Sequence, residues 1–161
     1  MRAWCRWILP VLLLSGCSGQ EATGPVDVRW DRETCTRCAM AVSDPRSSAQ
    51  VRGAPEGQPT RVYTFDDIGC AVVWLDGQPW KDDMRTEIWV TDHRNGQWID
   101  ARSATFIPGK RSAMGYDLGA QSGTSPEGMD FASAGQYIRK IEARDHVHGG
   151  RQPGHTTADA P

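Results

Sequence analysis

A short apolar run that ends at a cysteine decides where folding can begin in this chain. Arg2 and Arg6 give a positive start, Trp7 to Leu14 is apolar apart from Pro10, and Leu14-Ser15-Gly16-Cys17 supplies small residues before the cysteine. The run is too short to cross a bilayer as a helix, which takes ~20 apolar residues. It reads as an export signal over residues 1–16 and is set aside from the fold. Residues 17–26, polar and ending in Gly24-Pro25-Val26, read as a tether, so the folded part is expected from about residue 27.

Leu-Ser-Gly-Cys matches a lipobox, which marks Cys17 as the residue that takes lipid. The rival reading is an ordinary signal peptide with an incidental cysteine. Lipidation implies a periplasm-facing chain anchored to the cell membrane or the outer membrane. Ser18, rather than Asp, gives no reason to favour inner-membrane retention. Removing Arg2 and Arg6 from the 18 basic residues leaves 16 against 20 acidic ones, a net charge of −4. That balance argues against nucleic acid as a partner, which calls for a clustered basic face. Hydrophobic content of 39% and seven Trp, two of them in the signal, permit a real core, in one compact domain or two small ones.

Of five cysteines, Cys5 leaves with the signal and Cys17 takes lipid, so Cys35, Cys38 and Cys70 remain. An odd remainder in an oxidising compartment means one disulfide with a spare thiol, or thiols that hold a metal. The sharpest feature is Cys35-Thr36-Arg37-Cys38-Ala39-Met40. Thiolate and thioether sulfurs are soft donors and select soft ions such as Cu(I). Cys38 and Met40 lie two apart, so on an extended segment they share a face and form a two-point clamp that a third donor could complete.

Blander readings compete with that clamp. Cys35 and Cys38 could form a structural or redox disulfide. A thioredoxin-type pair sits at a helix start, however, and Ala39 to Pro45 reads as strand then turn. Zinc takes four ligands, commonly two spaced pairs, and the sequence has no second Cys pair. Met40 could be core filling. Met114, after Gly109-Lys110-Arg111-Ser112-Ala113, is a candidate third ligand, with core packing as its rival. Cys70 lies four residues after Asp66 on one helix face. It reads first as a small buried filler, because Asp is a hard donor that Cu(I) does not prefer. His146, His148 and His155 fall in a Gly- and Pro-rich tail over residues 146–161, where imidazole could bind copper or simply be solvated. His93 reads as surface. There is no serine elbow, phosphate loop or dinucleotide fingerprint.

Periodicity gives the elements. Thr60 to Phe65 is β-rich, and Thr64 reads as the cap of a helix over Phe65 to Leu75 that buries Ile68, Ala71, Val72 and Leu75. Thr86 to Asp92 and Gln97 to Ala101 are strand-like, and Asn95-Gly96 between them suits a type I′ hairpin turn. Phe131, Ala134, Ile138 and Ile141 mark a second amphipathic helix. The halves echo each other. Cys38-Ala39-Met40, Ala49-Gln50 and Phe65-x-x-x-Gly69 parallel Ser112-Ala113-Met114, Ala120-Gln121 and Phe131-x-x-x-Gly135. The expected fold class is α+β, with two small related β/α units in tandem over about 27–80 and 86–143. That arrangement would put Met40 and Met114 in equivalent loops facing one cleft.

Taken together, several segments resemble the NosL family, the lipoprotein copper chaperones that accompany nitrous-oxide reductase. They are the lipobox at Cys17, Asp31-x-x-x-Cys35-x-x-Cys38-x-Met40, Tyr63-Thr64-Phe65-Asp66-Asp67-Ile68-Gly69-Cys70, Phe106-Ile107-x-Gly109 running into Ala113-Met114-Gly115, and Gly149-Gly150 near His148. The resemblance covers roughly residues 27–150. It implies a tandem α+β fold similar to that of organomercurial lyase and Cu(I) as the bound ion. It also implies delivery, not catalysis, toward the copper–sulfur site of nitrous-oxide reductase and its membrane ABC-type maturation complex. Carried over by residue, it makes Cys38 and Met40 the ligands, with Met114 and a histidine, His148, as further contributors. Cys35 and Cys70 are extra thiols beside that pattern, so Cys35 stays a candidate ligand. Gly119-Ala120-Gln121 has a polar residue where an aromatic often follows Ala in the family. Two other functions stay open: a thiol-based organometal lyase, and a docking lipoprotein that uses its Trp-rich surface.

Overall fold

The computed structural model describes residues 23–149, with side chains described to residue 144. The signal segment, Cys17 and His155 lie outside the described residues, as do the side chains of His146 and His148. Eight elements follow in order: β1 (Ala49–Gly53), β2 (Arg61–Phe65), α1 (Ile68–Asp76), β3 (Glu87–Thr91), β4 (Trp98–Asp100), β5 (Thr105–Pro108), β6 (Leu118–Gln121) and α2 (Phe131–Gly149). The class is α+β. A four-stranded antiparallel sheet has the order β2-β1-β3-β4, and β5 and β6 form a separate antiparallel pair.

All five residues of β1 are buried, which follows from its central place in the larger sheet. Side chains alternate across a strand, so its two faces serve different ends. Ala49 and Val51 join Phe65, Ile68, Val72 and Leu75 in the core beneath α1. Gln50 and Arg52 face the other way and hold the chain's entry. Gln50 Oε1 accepts from Val26 N at 2.9 Å, its Nε2 donates to Val26 O at 2.9 Å, and Arg52 donates to Gly24 O at 2.9 and 3.0 Å. Order therefore reaches back to Gly24, within the segment read from sequence as tether.

Both helices occur where the apolar period places them, but α1 starts later than Phe65. β2 pairs with β1 through Thr64 and Phe65, which keeps both residues extended and unavailable for a helical turn. Asp67 takes the cap instead, in extended conformation, with Oδ1 accepting from Gly69 N at 2.8 Å. The β3–β4 connection also differs. Among the two central residues only Gly96 has a left-handed φ, of 75°, so no type I′ turn forms. A six-residue loop runs from Asp92 to Gln97, closed by Asp92 N donating to Gln97 O at 2.7 Å and Gly96 N donating to Asp92 O at 2.7 Å.

The two-unit tandem is not established by this arrangement. The four-stranded sheet takes β1 and β2 from the first stretch and β3 and β4 from the second. Where β1 and β2 stand between Met40 and Phe65, only β6 stands between Met114 and Phe131. The eight-residue difference between the two spacings is about the length of the missing strand and its turn.

Candidate metal centre

The chain between Glu33 and Val42 folds back on itself. Thr34 bridges Ala41, Cys35 N donates to Met40 O at 2.7 Å, and Ala39 N donates to Cys35 O at 3.0 Å. Ala39 sits at φ 61°, a left-handed turn position. The extended segment expected at Cys38-Ala39-Met40 is thus a turn. Thr36 hooks the loop onto the end of β2, its N and Oγ1 donating to Thr64 O at 2.9 and 3.1 Å. That contact lays Cys35 and Cys38 over the β2–α1 junction, where Asp66 ends the strand side and Cys70 opens the helix.

The result is one cluster. The thiols of Cys35, Cys38 and Cys70 and a carboxylate oxygen of Asp66 all lie within 4.8 Å of one another. Cys35, Cys70 and Asp66 are buried, Cys38 is half-buried, and all three thiols are free. Cys38 Sγ lies 3.6 Å from each Asp66 carboxylate oxygen. Met40, on the same loop, is 49% exposed and stands at the rim. Met114 is half-buried, and its backbone N donates to Asp67 Oδ2 at 3.4 Å, so the 109–117 loop meets the same junction. The backbone of His148 belongs to the last turn of α2.

Arg37 closes the back of the cluster. Its Nη1 lies 3.9 Å from Cys70 Sγ and donates to Tyr116 Oη at 3.0 Å, while Nη2 pairs with Glu142 Oε2 at 2.7 Å. The Tyr116 hydroxyl also donates to Glu142. Burial opposes the Arg37 charge, but Cys70, Tyr116 and Glu142 more than offset it and hold the guanidinium firmly protonated. Burial, reinforced by the bond to Glu142, pushes the Tyr116 hydroxyl up. Among the thiols, the Cys70 S–H donated to Cys35 brings Cys35 down to about 6 against the cost of burial. That same bond, with burial, pushes Cys70 up, and burial pushes Cys38 up. Burial likewise raises the Asp67 carboxyl. The cluster thus holds one ready thiolate and two thiols that lose protons when a metal competes for them.

Chemically, this is a thiol-rich cluster suited to a thiophilic ion. Cys35 and Cys38 come together as the spacing anticipated. Cys70 lies with them while also being a fully buried member of the core, as the filler reading has it. For Asp66 the spacing of four from Cys70 was the available signal. Arg37, Tyr116 and Glu142 carried no sequence signal, since they come from three distant segments.

An α+β chain with clustered thiols beside a sheet–helix junction defines a class of small metal-binding protein. The family profile described as NosL matches residues 25–140, and the chain belongs to the NosL family. Comparison with curated proteins finds no match. Family membership and the thiol cluster together fit a copper-binding accessory protein.

Proposed function

We propose that this protein is a lipid-anchored, periplasm-facing Cu(I) chaperone that delivers copper for assembly of the copper–sulfur site of nitrous-oxide reductase. Its partners would be the reductase and the membrane ABC-type maturation complex. The observation that carries the reading is the meeting of Cys35, Cys38 and Cys70 in one cluster of a NosL-family chain. Soft thiolates hold Cu(I) with two or three ligands. Cys38 is half-buried and Met40, two residues on, is exposed, while Cys35 and Cys70 are buried. An acceptor thiol or thioether can reach the outer donors first and draw the ion out by stepwise ligand exchange. The lipid on Cys17 would keep the donor near a membrane-bound acceptor and raise its effective concentration there. The role is transfer rather than catalysis.

The test is a Cu(I) titration of the reduced full chain in detergent against a competing chelator. One Cu(I) per chain is expected, weakened at least about a hundredfold in Cys38→Ser, or ~2.8 kcal/mol. The Met40→Ala loss is expected to be smaller. Failure of the unmutated chain to compete sinks the copper reading. Normal copper loading of the reductase in cells lacking the protein, under copper limitation, sinks the delivery step.

One observation favours a second reading. Asp66 stands beside Cys38, with two more thiols close by, which is an acid–thiol set able to cleave a carbon–mercury bond. In that step the carbon leaves with a proton and mercury stays on sulfur. Release of hydrocarbon from an organomercurial, with excess thiol present, would establish it; none released would remove it.

A further inference from the structure

The chain carries a net negative charge, yet one cavity, distinct from the thiol cluster, is walled by cations. It holds about 240 Å³ and lies between the 44–47 turn, His93 and the 109–111 loop that follows β5. Arg46, Lys110 and Arg111 line it against one carboxylate, Asp44, so its walls carry a net charge of +2 with His93 counted neutral. Asp44 is already engaged, its Oδ1 accepting from Arg46 N at 2.8 Å. Among the described residues, the side chains of Arg46, Lys110 and Arg111 have no hydrogen-bond or ion-pair partner. Arg37, Arg52, Arg85, Arg94 and Arg139 all pair with carboxylates.

Gly119 shows that this cavity is built rather than incidental. Its backbone is outside the left-handed region, so no turn calls for glycine there. A Cβ would instead meet Lys110 Cγ at 2.7 Å and His93 Cγ at 3.0 Å. The missing side chain lets both residues lie against β6, and a glycine inside a strand marks such a close approach. His93 is held from two more directions: its N donates to Ala120 O at 2.8 Å, and its Nε2 lies 3.4 Å from Gln121 Oε1. Gln121, the polar residue where the family often has an aromatic, thus steadies one wall. Ser47 steadies another, its Oγ donating to Asp66 O at 3.1 Å.

We propose that this cavity binds a phosphate group, supplied as free phosphate or as the headgroup of an anionic lipid. The inference does not rest on the copper reading, and the cavity shares no residue with the thiol cluster. Arg offers phosphate a planar fork of donors and Lys a compact charge, and both are present here. The volume is below the ~300 Å³ at which pockets for drug-sized ligands begin, which suits a small group rather than a large cofactor. A cleft lined by one sign of charge focuses its field on whatever enters, so an anion gains more there than on an open surface. A phosphate carries up to about two negative charges near neutral pH, which balances the walls. For a chain held at a membrane, a lipid headgroup is a second source of the same chemistry, since Lys and Arg near the surface are drawn to anionic lipids.

The test follows the backbone amides of Gly109 and Gly119 by NMR in the full chain, held in neutral detergent micelles. Sodium phosphate is titrated against sodium chloride at matched ionic strength, and phosphatidylglycerol is doped into the micelles in a parallel series. A saturable shift is expected at both glycines. Response to phosphate alone assigns the free anion, response to phosphatidylglycerol alone assigns the headgroup, and response to both assigns the shared phosphate chemistry. Arg46→Gln and Lys110→Gln, which alter exposed side chains, should each weaken binding at least about threefold. Lys140→Gln, which removes an exposed cation of α2 outside the cavity, should leave binding unchanged. Cu(I) affinity should be the same in Lys110→Gln as in the unmutated chain. No saturable shift with either probe overturns the proposal. A loss in Lys140→Gln equal to that in Lys110→Gln also overturns it, because attraction would then belong to the whole surface and not to this cavity.

Discussion

Asp66 and Asp92 are each 1% exposed, yet the fold treats them in opposite ways. Asp92 follows β3 and is surrounded by strong donors: Arg94 N, Nε and Nη2 at 3.0, 2.9 and 2.6 Å, and Ser122 N and Oγ at 3.0 and 3.2 Å. Those bonds close the β3–β4 loop and tie it to the end of β6. The Arg94 guanidinium holds the Asp92 carboxyl well below the usual carboxylate range. Asp66, at the β2–α1 junction, faces sulfur. A buried carboxylate saturated by nitrogen and hydroxyl donors is part of the scaffold. One whose side-chain partners are thiols belongs instead to the thiol cluster.

The largest effect should come from breaking the saturated member. Asp92→Asn is expected to cost about 2–3 kcal/mol in urea unfolding, through lost charge-assisted hydrogen bonds, while metal binding stays unchanged. Asp66→Asn in the metal-free protein should stay within about 1 kcal/mol, because neutralising a poorly paired buried carboxylate also removes its desolvation cost. Equal losses would erase the contrast. The pH dependence has a fixed sign. A carboxyl whose folded pKa is depressed contributes fully above its unfolded value, about 3.9, and loses that contribution as pH falls through the lower folded value. The stability gap between the unmutated chain and Asp92→Asn should therefore be flat near neutrality and narrow below about pH 4.

A smaller effect separates the two ends of the molecule by their echoed glycines. A Cβ at Gly69 would lie 2.2 Å from the Tyr116 ring, which is itself fixed by Arg37 and Glu142. Gly69→Ala should cost about 1–3 kcal/mol in overpacking and weaken metal binding as Arg37 shifts. At Gly135 the nearest atom is Arg139 Nη1 at 3.0 Å, the far end of a flexible side chain. Gly135→Ala should be neutral, or gain up to about 1 kcal/mol of helix propensity. Thermal melts of the two variants decide whether Phe-x-x-x-Gly has one packing meaning or two. Equal costs would revive the tandem-unit reading.

What the sequence made legible was local. The apolar periods located α1 and α2, and alternation located β3 and β4, because burial on one face writes itself into spacing. The cap at Thr64 misplaced the start of α1, since the pairing of Gln50 with Thr64 and Ala49 with Phe65 overrides the local capping pattern. Asn95-Gly96 failed as a two-residue turn because Asp92 organises a longer loop through Arg94. Cys35 and Cys38 were visible through their spacing. Their meeting with Asp66 and Cys70 depends on Thr36 docking against Thr64, a contact across 28 residues that leaves no periodic trace. Arg37 reaches Glu142 across 105 residues, and nothing short of the fold could have shown it.

The finest test of the contrast is Cys70→Ala. Trimming one small buried thiol should cost about 1 kcal/mol. Its main effect should be on Cys35, which sits at about 6 because the Cys70 thiol donates to it. Without that donor, the Cys35 midpoint followed by thiolate ultraviolet absorbance should rise from about 6 toward the ordinary value of 9.0. Asp66→Asn should move it far less, since the carboxylate is the weakest of the named influences on Cys35. At neutral pH little proton remains on the unmutated Cys35 to displace, whereas in Cys70→Ala more does, so metal affinity should climb more steeply with pH in the variant. A Cys35 that stays near 6 without Cys70 would mean the thiols do not share protons. The readiness of this cluster, as against the closed Asp92 network, would then need another source.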